Sequence, residues 1–119
     1  HHQNKAEKMD QIRRVDKYLA THFAYLLKKM KETPEGEGSL LDNSMLLYGS
    51  GLGDANRHDH HNLPVVLAGG GGGTIRTGRH IKTSSETPLN NLFLSMLDRV
   101  GADVESVGDS KGRFTEIDL

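Results

Sequence analysis

Residues 44–73 read SMLLYGSGLGDANRHDHHNLPVVLAGGGGG, and the fold predicted from the sequence depends mainly on these residues. It holds two short apolar runs, Ser44–Tyr48 and Pro64–Ala68, on either side of a polar loop. Continuous apolar runs bounded by Gly, Asn and Asp are typical of strands buried on both faces, as in a parallel sheet. We therefore predict two short parallel strands, with a weaker third strand at Thr74–Ile75 or His80–Lys82.

A helix is predicted on each side of this stretch. From Lys5 to Lys31 apolar residues recur every three or four positions, which indicates a long amphipathic helix. Pro34 cannot continue that helix, so residues 33–39 are expected to form a surface loop. A second helix is predicted from Pro88 to Val100, because Thr87 offers an N-cap hydroxyl and Gly101 suits a left-handed C-cap.

The order of these elements is that of an α/β layer. Parallel strands need cover on both faces, yet only two helices are predicted and the first is too long for so small a sheet. We therefore expect residues 1–119 to form a single domain that is the C-terminal piece of a larger protein.

The composition argues against several classes of function. The 119 residues include 15 Lys and Arg against 16 Asp and Glu, a formal charge of −1, so we expect neither nucleic acid nor a membrane surface as partner. No apolar run approaches the ~20 residues of a membrane helix. The chain has no cysteine, which excludes disulfides and thiolate metal sites.

The loop between the apolar runs, residues 49–62, concentrates potential metal ligands and is called the histidine loop below. Neutral imidazoles and carboxylates are ligands for zinc, manganese or iron. The sequence predicts a divalent-metal site whose candidate ligands are Asp54, His58, His60 and His61, joined by His80 and the N-terminal His1 and His2. The alternative is a solvated polar loop whose histidines do not converge.

The spacing of glycine and serine in this loop argues against two other functions. A dinucleotide-binding fingerprint needs a third glycine where Asp54 stands, and a helix opening there. A nucleophile elbow around Ser50 needs glycine two residues earlier, where Tyr48 stands. No catalytic nucleophile is therefore identified.

The unbroken run Gly69–Gly73 suggests a second site. Backbone amides freed by glycine can cradle an anion, so we predict that Gly71, Gly72 and the guanidinium of Arg79 bind one. Gly73 and Gly78 have the spacing of a phosphate-binding loop, but Arg79-His80 replaces the required Lys and Ser or Thr. The alternative is a tightly turning connection without a ligand.

Short motifs spread over nearly the whole chain form a specific combination. They include His1-His2-Gln3-Asn4, Phe23-Ala24-Tyr25-Leu26, Gly36–Asp42, Tyr48-Gly49-Ser50-Gly51, Asn56-Arg57-His58, Asn62–Val65, Gly78-Arg79-His80, Thr87-Pro88-Leu89 and Gly108-Asp109-Ser110. Together they resemble the C-terminal third of the bacterial HXXSHH-motif domain family of unknown function. In that resemblance His1 and His2 are the last two histidines of the naming motif.

The layout also resembles the C-terminal part of the three-layer alkaline phosphatase and sulfatase superfamily. That resemblance implies metal binding by Asp and His on loops at strand ends. The chain departs from the superfamily where Ser50-Gly51-Leu52-Gly53-Asp54 replaces the usual Asp-His-Gly. Members of the HXXSHH family tend to carry export signals, which implies a periplasmic or secreted location.

The leading prediction is therefore a divalent-metal or anion site of a phosphatase- or sulfatase-like hydrolase, acting on a small molecule that bears phosphate or sulfate. The fragment itself is expected to be inactive. The alternative is a non-enzymatic extracytoplasmic binding or structural module, and a third interpretation is nucleotide binding on the glycine run. The metal prediction requires that imidazoles far apart in sequence meet at one edge of the sheet.

Overall fold

The computed structural model describes residues 2–83 and 86–119, and their fold mixes helices with small antiparallel sheets. The elements are α1 (Ala6–Glu32), β1 (Pro34–Glu35), β2 (Gly38–Ser39), β3 (Leu46–Gly49), β4 (Val65–Ala68), α2 (Leu89–Arg99) and a 3₁₀ turn (Thr115–Ile117). β1 pairs with β2, and β3 pairs with β4. In the part of the chain described, no helix combines the length and hydropathy that a membrane crossing requires.

The two central strands are antiparallel, so the prediction of parallel strands was wrong. Leu46 pairs with Ala68 and Gly49 with Val65. A parallel pair needs a crossover connection, usually a helix, whereas residues 50–64 form only loop and turn and bring the chain straight back. The continuous apolar runs do not mean burial on both faces here. One face packs on the core, whereas on the other face Tyr48 contacts Phe23 of α1 and Val66 is 51% exposed.

One face of the β3–β4 hairpin packs on the main core. Buried Leu92 from α2 and buried Phe114 and Ile117 from the C-terminal tail form its centre. Partly buried hydrophobic residues surround them: Leu47, Val65, Leu67, Ile81, Leu89 and Met96. On α1, the Phe23 ring stacks on Tyr48 of β3 at 4.8 Å between centroids.

The C-terminal end of α1 is tied to the segment that follows it. Residues 33–39, expected to be a loop, contain the small β1–β2 hairpin, and Asp42 accepts hydrogen bonds from Ser39 and from Lys31 Nζ. The Ser39 hydroxyl, followed by Lys31, lowers the pKa of Asp42 from 3.8 to about 2. Asp42 is therefore ionised near neutral pH and holds the helix end against the turn that leads into β3.

The second predicted helix is confirmed, and its C-terminus has the expected cap. Gly101 has φ +75°, its amide donates to Asp98 O, and the Ala102 amide donates to Leu97 O, which is the Schellman arrangement. The helix starts one residue later than predicted, with Pro88 at the cap position. The prediction of a third strand was wrong. Ile75 makes only an isolated bridge to Asp118, and residues 80–82 are not in a strand.

Candidate metal site in the histidine loop

The histidine loop is closed on itself by short-range hydrogen bonds. The Gly53 amide donates to Asp59 O at 2.8 Å and the Asp59 amide donates to Asp54 O at 3.0 Å. Asp54 Oδ1 accepts from the Asn56 amide at 2.8 Å, which turns the chain at the tip of the loop. A Cβ at Gly53 would lie 2.1 Å from His61 O, so only glycine lets the two arms approach this closely.

Two imidazoles on this loop have a fixed tautomer. His60 Nδ1 lies 2.7 Å from the carbonyl oxygen of Gly51, and His61 Nδ1 lies 2.6 Å from Asp59 Oδ1. A carbonyl and an ionised carboxylate can only accept, so in both rings Nδ1 carries the proton. In the neutral rings, Nε2 of His60 and of His61 therefore has the free lone pair that a metal ion requires.

Asp59 is ionised and holds His61 in position. The His61 amide donates to Asp59 Oδ1 at 2.9 Å, and the His61 ring donates to the same oxygen. These hydrogen bonds, the amide first, lower the pKa of Asp59 below its usual value of 3.8. A carboxylate on Nδ1 is also the outer-sphere partner that metal-binding histidines commonly have.

The N-terminus reaches the loop from the far end of α1. His2 Nε2 lies 4.0 Å from Asp54 Oδ1, and the Gln3 amide donates to Asn56 Oδ1 at 2.9 Å. His2 has the opposite tautomer, however, because the Asn4 amide donates to its Nδ1 at 3.0 Å. In the neutral ring Nε2 thus carries the proton, so in this geometry His2 offers no lone pair to a metal ion. Its 4.0 Å separation from Asp54 Oδ1 is too long for a hydrogen bond.

The structure does not gather the predicted ligand set into one cluster. Among residues 2–83 and 86–119, no three His, Asp or Glu side chains form a group that could hold a metal ion. His58 and His80 are exposed, and His1 lies outside the described residues. The described part of the site consists of the two oriented imidazoles, His60 and His61, with Asp54 held between His2 and Arg57.

Backbone strain is concentrated in the same region. Among the described residues other than glycine, positive φ occurs at Gln3, Asn4, His58 and Asn62, and elsewhere only at Glu86. Such conformations are costly for residues other than glycine and are often found at binding sites. Among the described residues, four of these five conformations therefore lie in the histidine loop and in the N-terminal segment next to it.

The glycine run does not form the anion cradle that we predicted. The Gly71 amide donates to Ser44 O and the Gly72 amide to Asp42 O, each at 3.0 Å. Arg79 is also engaged, since its Nε donates to Arg76 O and its Nη2 to Glu116 O. These donors close a turn against residues 41–44 and the C-terminal tail. Anion or nucleotide binding by this segment stays a prediction, and it would require these amides to leave their present partners.

Ser50 has a local structural contact. Its Oγ accepts the Leu52 amide at 3.1 Å, which shapes the start of the histidine loop. The geometry gives no support to a nucleophilic role.

Sequence reasoning missed the partners that orient the imidazoles. Neither Asp59 nor the carbonyl of Gly51 is among the site residues predicted from sequence. The signal for Asp59 was its spacing, because an Asp two residues before a histidine can accept from both the amide and Nδ1 of that histidine. A backbone carbonyl carries no such sequence signal.

Comparisons with protein-family models, with curated proteins and with solved structures gave no match to this chain.

Proposed function

We propose that the histidine loop binds a divalent transition-metal ion through Nε2 of His60 and Nε2 of His61. One observation carries this proposal: each ring donates its Nδ1 proton to an oxygen of the loop, to Gly51 O and to Asp59 Oδ1. Neutral imidazole oriented in this way suits zinc, manganese or iron. The remaining coordination positions would be taken by water and by a ligand.

The ligand that fits this site is a small molecule bearing phosphate or sulfate. The loop leaves the end of β3 and carries Arg57, an 80% exposed guanidinium whose Nε lies 3.6 Å from Asp54 Oδ2 and whose other nitrogens could pair with an anion. A bound divalent ion would polarise a phosphate or sulfate ester and lower the pKa of a bound water. The chain's own residues orient the imidazoles and supply positive charge, and no residue is assigned as nucleophile.

A relationship to known protein families is part of the same proposal. We propose that the chain is related to the HXXSHH-motif family and, more distantly, to the alkaline phosphatase and sulfatase superfamily. The support is the set of motifs quoted above, together with the position of the histidine loop at a strand end. A periplasmic or secreted location follows from the family proposal alone.

Zinc titration of matched histidine variants tests the metal site. We expect the chain to bind Zn²⁺ in calorimetry, and we expect His60→Ala and His61→Ala each to weaken binding by about tenfold or more. His22→Ala is the control, because His22 Nδ1 has a similar hydrogen bond to Tyr18 O, at 3.0 Å, but stands on α1. Absence of binding by the parent chain, or equal weakening in the control, would reject the proposal.

A second candidate is a binding module without catalytic activity, and the exposed apolar side chains of α1, among them Val15, Tyr18 and Leu19, favour it. Measuring the metal content of the protein distinguishes this module from the metal-dependent site, because a module needs no metal to bind its partner. Full-strength binding of a partner by metal-free protein would support the module.

A further inference from the structure

The outer edge of β4, on the side away from β3, carries main-chain groups that face no other strand. The Ser50 amide donates to Pro64 O at 3.2 Å, so Gly49 and Val65 face each other as a pair that shares no hydrogen bond. Bonded and non-bonded pairs alternate in an antiparallel ladder, so the amides and carbonyls of Val65 and Leu67 point away from β3. Among the residues that the structure describes, none makes a hydrogen bond to these outward groups. Such an edge is a template for a further strand.

An open groove of about 500 Å³ lies beside the C-terminal half of this edge. Leu67 and Ala68 line it from β4, and Thr77 and Gly78 line it from the segment that follows the glycine run. Its volume is within the range of about 300–1,000 Å³ that is typical of ligand sites. A Cβ on Gly78 would meet nothing within 4 Å, so the space next to this residue is free. The groove therefore leaves room for a chain to lie along β4.

The lining of the groove favours an uncharged, aliphatic occupant. Leu41 and the buried Ile75 line it together with Leu67. The charged residues among its lining are Lys31 and Asp42, and these two pair with each other at 2.9 Å. A charged group in the groove would lose water without gaining an unpaired charge of opposite sign.

We infer that the outer edge of β4 binds an extended, uncharged peptide segment of a partner protein as an added strand. The outward amide and carbonyl of Leu67 would bond to the main chain of the peptide, and every second side chain of the peptide would lie against Leu41 and Ile75. A donor and an acceptor on the same residue of a strand edge are the groups that an extended peptide matches. A third strand would also support the β3–β4 sheet, since a sheet of only two strands is marginally stable.

Peptide titration of the ¹⁵N-labelled chain tests this inference. The probe is the acetylated and amidated peptide Thr-Val-Thr-Val-Thr. At about 2 mM peptide we expect the Leu67 amide signal to shift and its hydrogen exchange to slow by about tenfold or more. The control is the same peptide with every amide nitrogen methylated, which cannot donate hydrogen bonds and should leave Leu67 unchanged.

A variant that fills the groove gives a second measurement. Thr77 is exposed and lines the groove, so Thr77→Trp should abolish the peptide-induced shift at Leu67 without altering the core. Thr21→Trp is the matched control, because Thr21 is exposed on α1 outside the groove, and this variant should bind the peptide like the parent chain.

Three results would overturn the inference. The first is a Leu67 amide that does not respond to about 2 mM peptide, or that responds equally to the methylated peptide. The second is binding that Thr77→Trp leaves intact. The third is a Leu67 amide that exchanges as slowly as the Val66 amide before any peptide is added. Slow exchange that appears only at high protein concentration would assign the edge to a second copy of the chain.

Discussion

Replacing Gly69 by alanine is expected to destabilise the fold by about 3 kcal/mol. Gly69 has φ +102°, and a Cβ there would lie 2.1 Å from Ser44 O. The backbone conformation costs alanine about 1–2 kcal/mol. Relieving the clash would also separate the turn from residues 41–44 and weaken hydrogen bonds such as Gly71 N to Ser44 O, worth about 1 kcal/mol each.

Gly72→Ala is the control for this prediction. Gly72 also has a positive φ, +66°, but a Cβ there would meet nothing within 4 Å. Only the cost of the backbone conformation remains, so we expect the free energy of unfolding to fall by about 1 kcal/mol. Urea unfolding of the two variants measures the difference. Equal losses would mean that close packing against Ser44 does not explain the glycine run.

Leu94→Ala should lower the free energy of unfolding by a similar amount. Leu94 is 1% exposed and is the most completely buried large side chain among the described residues. Truncating a buried leucine costs about 2–5 kcal/mol. Few of the described hydrophobic residues are buried, so we expect a clear fall in the midpoint of thermal unfolding.

The control for Leu94 is Leu119→Ala. Leu119 is 81% exposed, so its truncation should change the free energy of unfolding by less than about 0.5 kcal/mol. Similar stability of the two variants would show that the centre of the core has been placed wrongly.

The helices could be predicted from sequence, whereas strand direction could not. Periodicity and the Gly101 cap are local signals, and both helices were found within one or two residues of their bounds. The direction of β4 relative to β3 depends on how the intervening loop returns. The apolar runs looked like parallel strands because β3 contacts both the core, through Leu47, and α1, through Tyr48.

The C-terminal tail contributed more to the core than its pattern indicated. Phe114 and Ile117 are buried although the tail has no clear periodicity. The Phe114 amide donates to Ser95 Oγ at 2.7 Å, and Arg113 forms an ion pair with Asp98 at 3.0 Å. These contacts join residues 15 to 19 positions apart, and nothing in the local sequence marks such pairs.

The histidine loop was singled out by composition, but its internal order was not foreseen. Histidine and aspartate counts show that ligands are available, whereas the tautomer of each ring depends on which oxygen or amide faces Nδ1. Asn4 N–H and Gly51 O give His2 and His60 opposite tautomers. Only coordinates distinguish a ring that can bind metal through Nε2 from one that cannot.

The central claim is that His60 and His61 present unprotonated Nε2 atoms to a metal ion. Long-range ¹H–¹⁵N spectra of the imidazoles, recorded with and without Zn²⁺, test this most directly. We predict protonated Nδ1 in both rings before Zn²⁺ is added, and a large shift of both Nε2 signals afterwards, with His2 and His22 unchanged. Protonated Nε2 in these two rings, or Nε2 signals that Zn²⁺ leaves in place, would contradict the account.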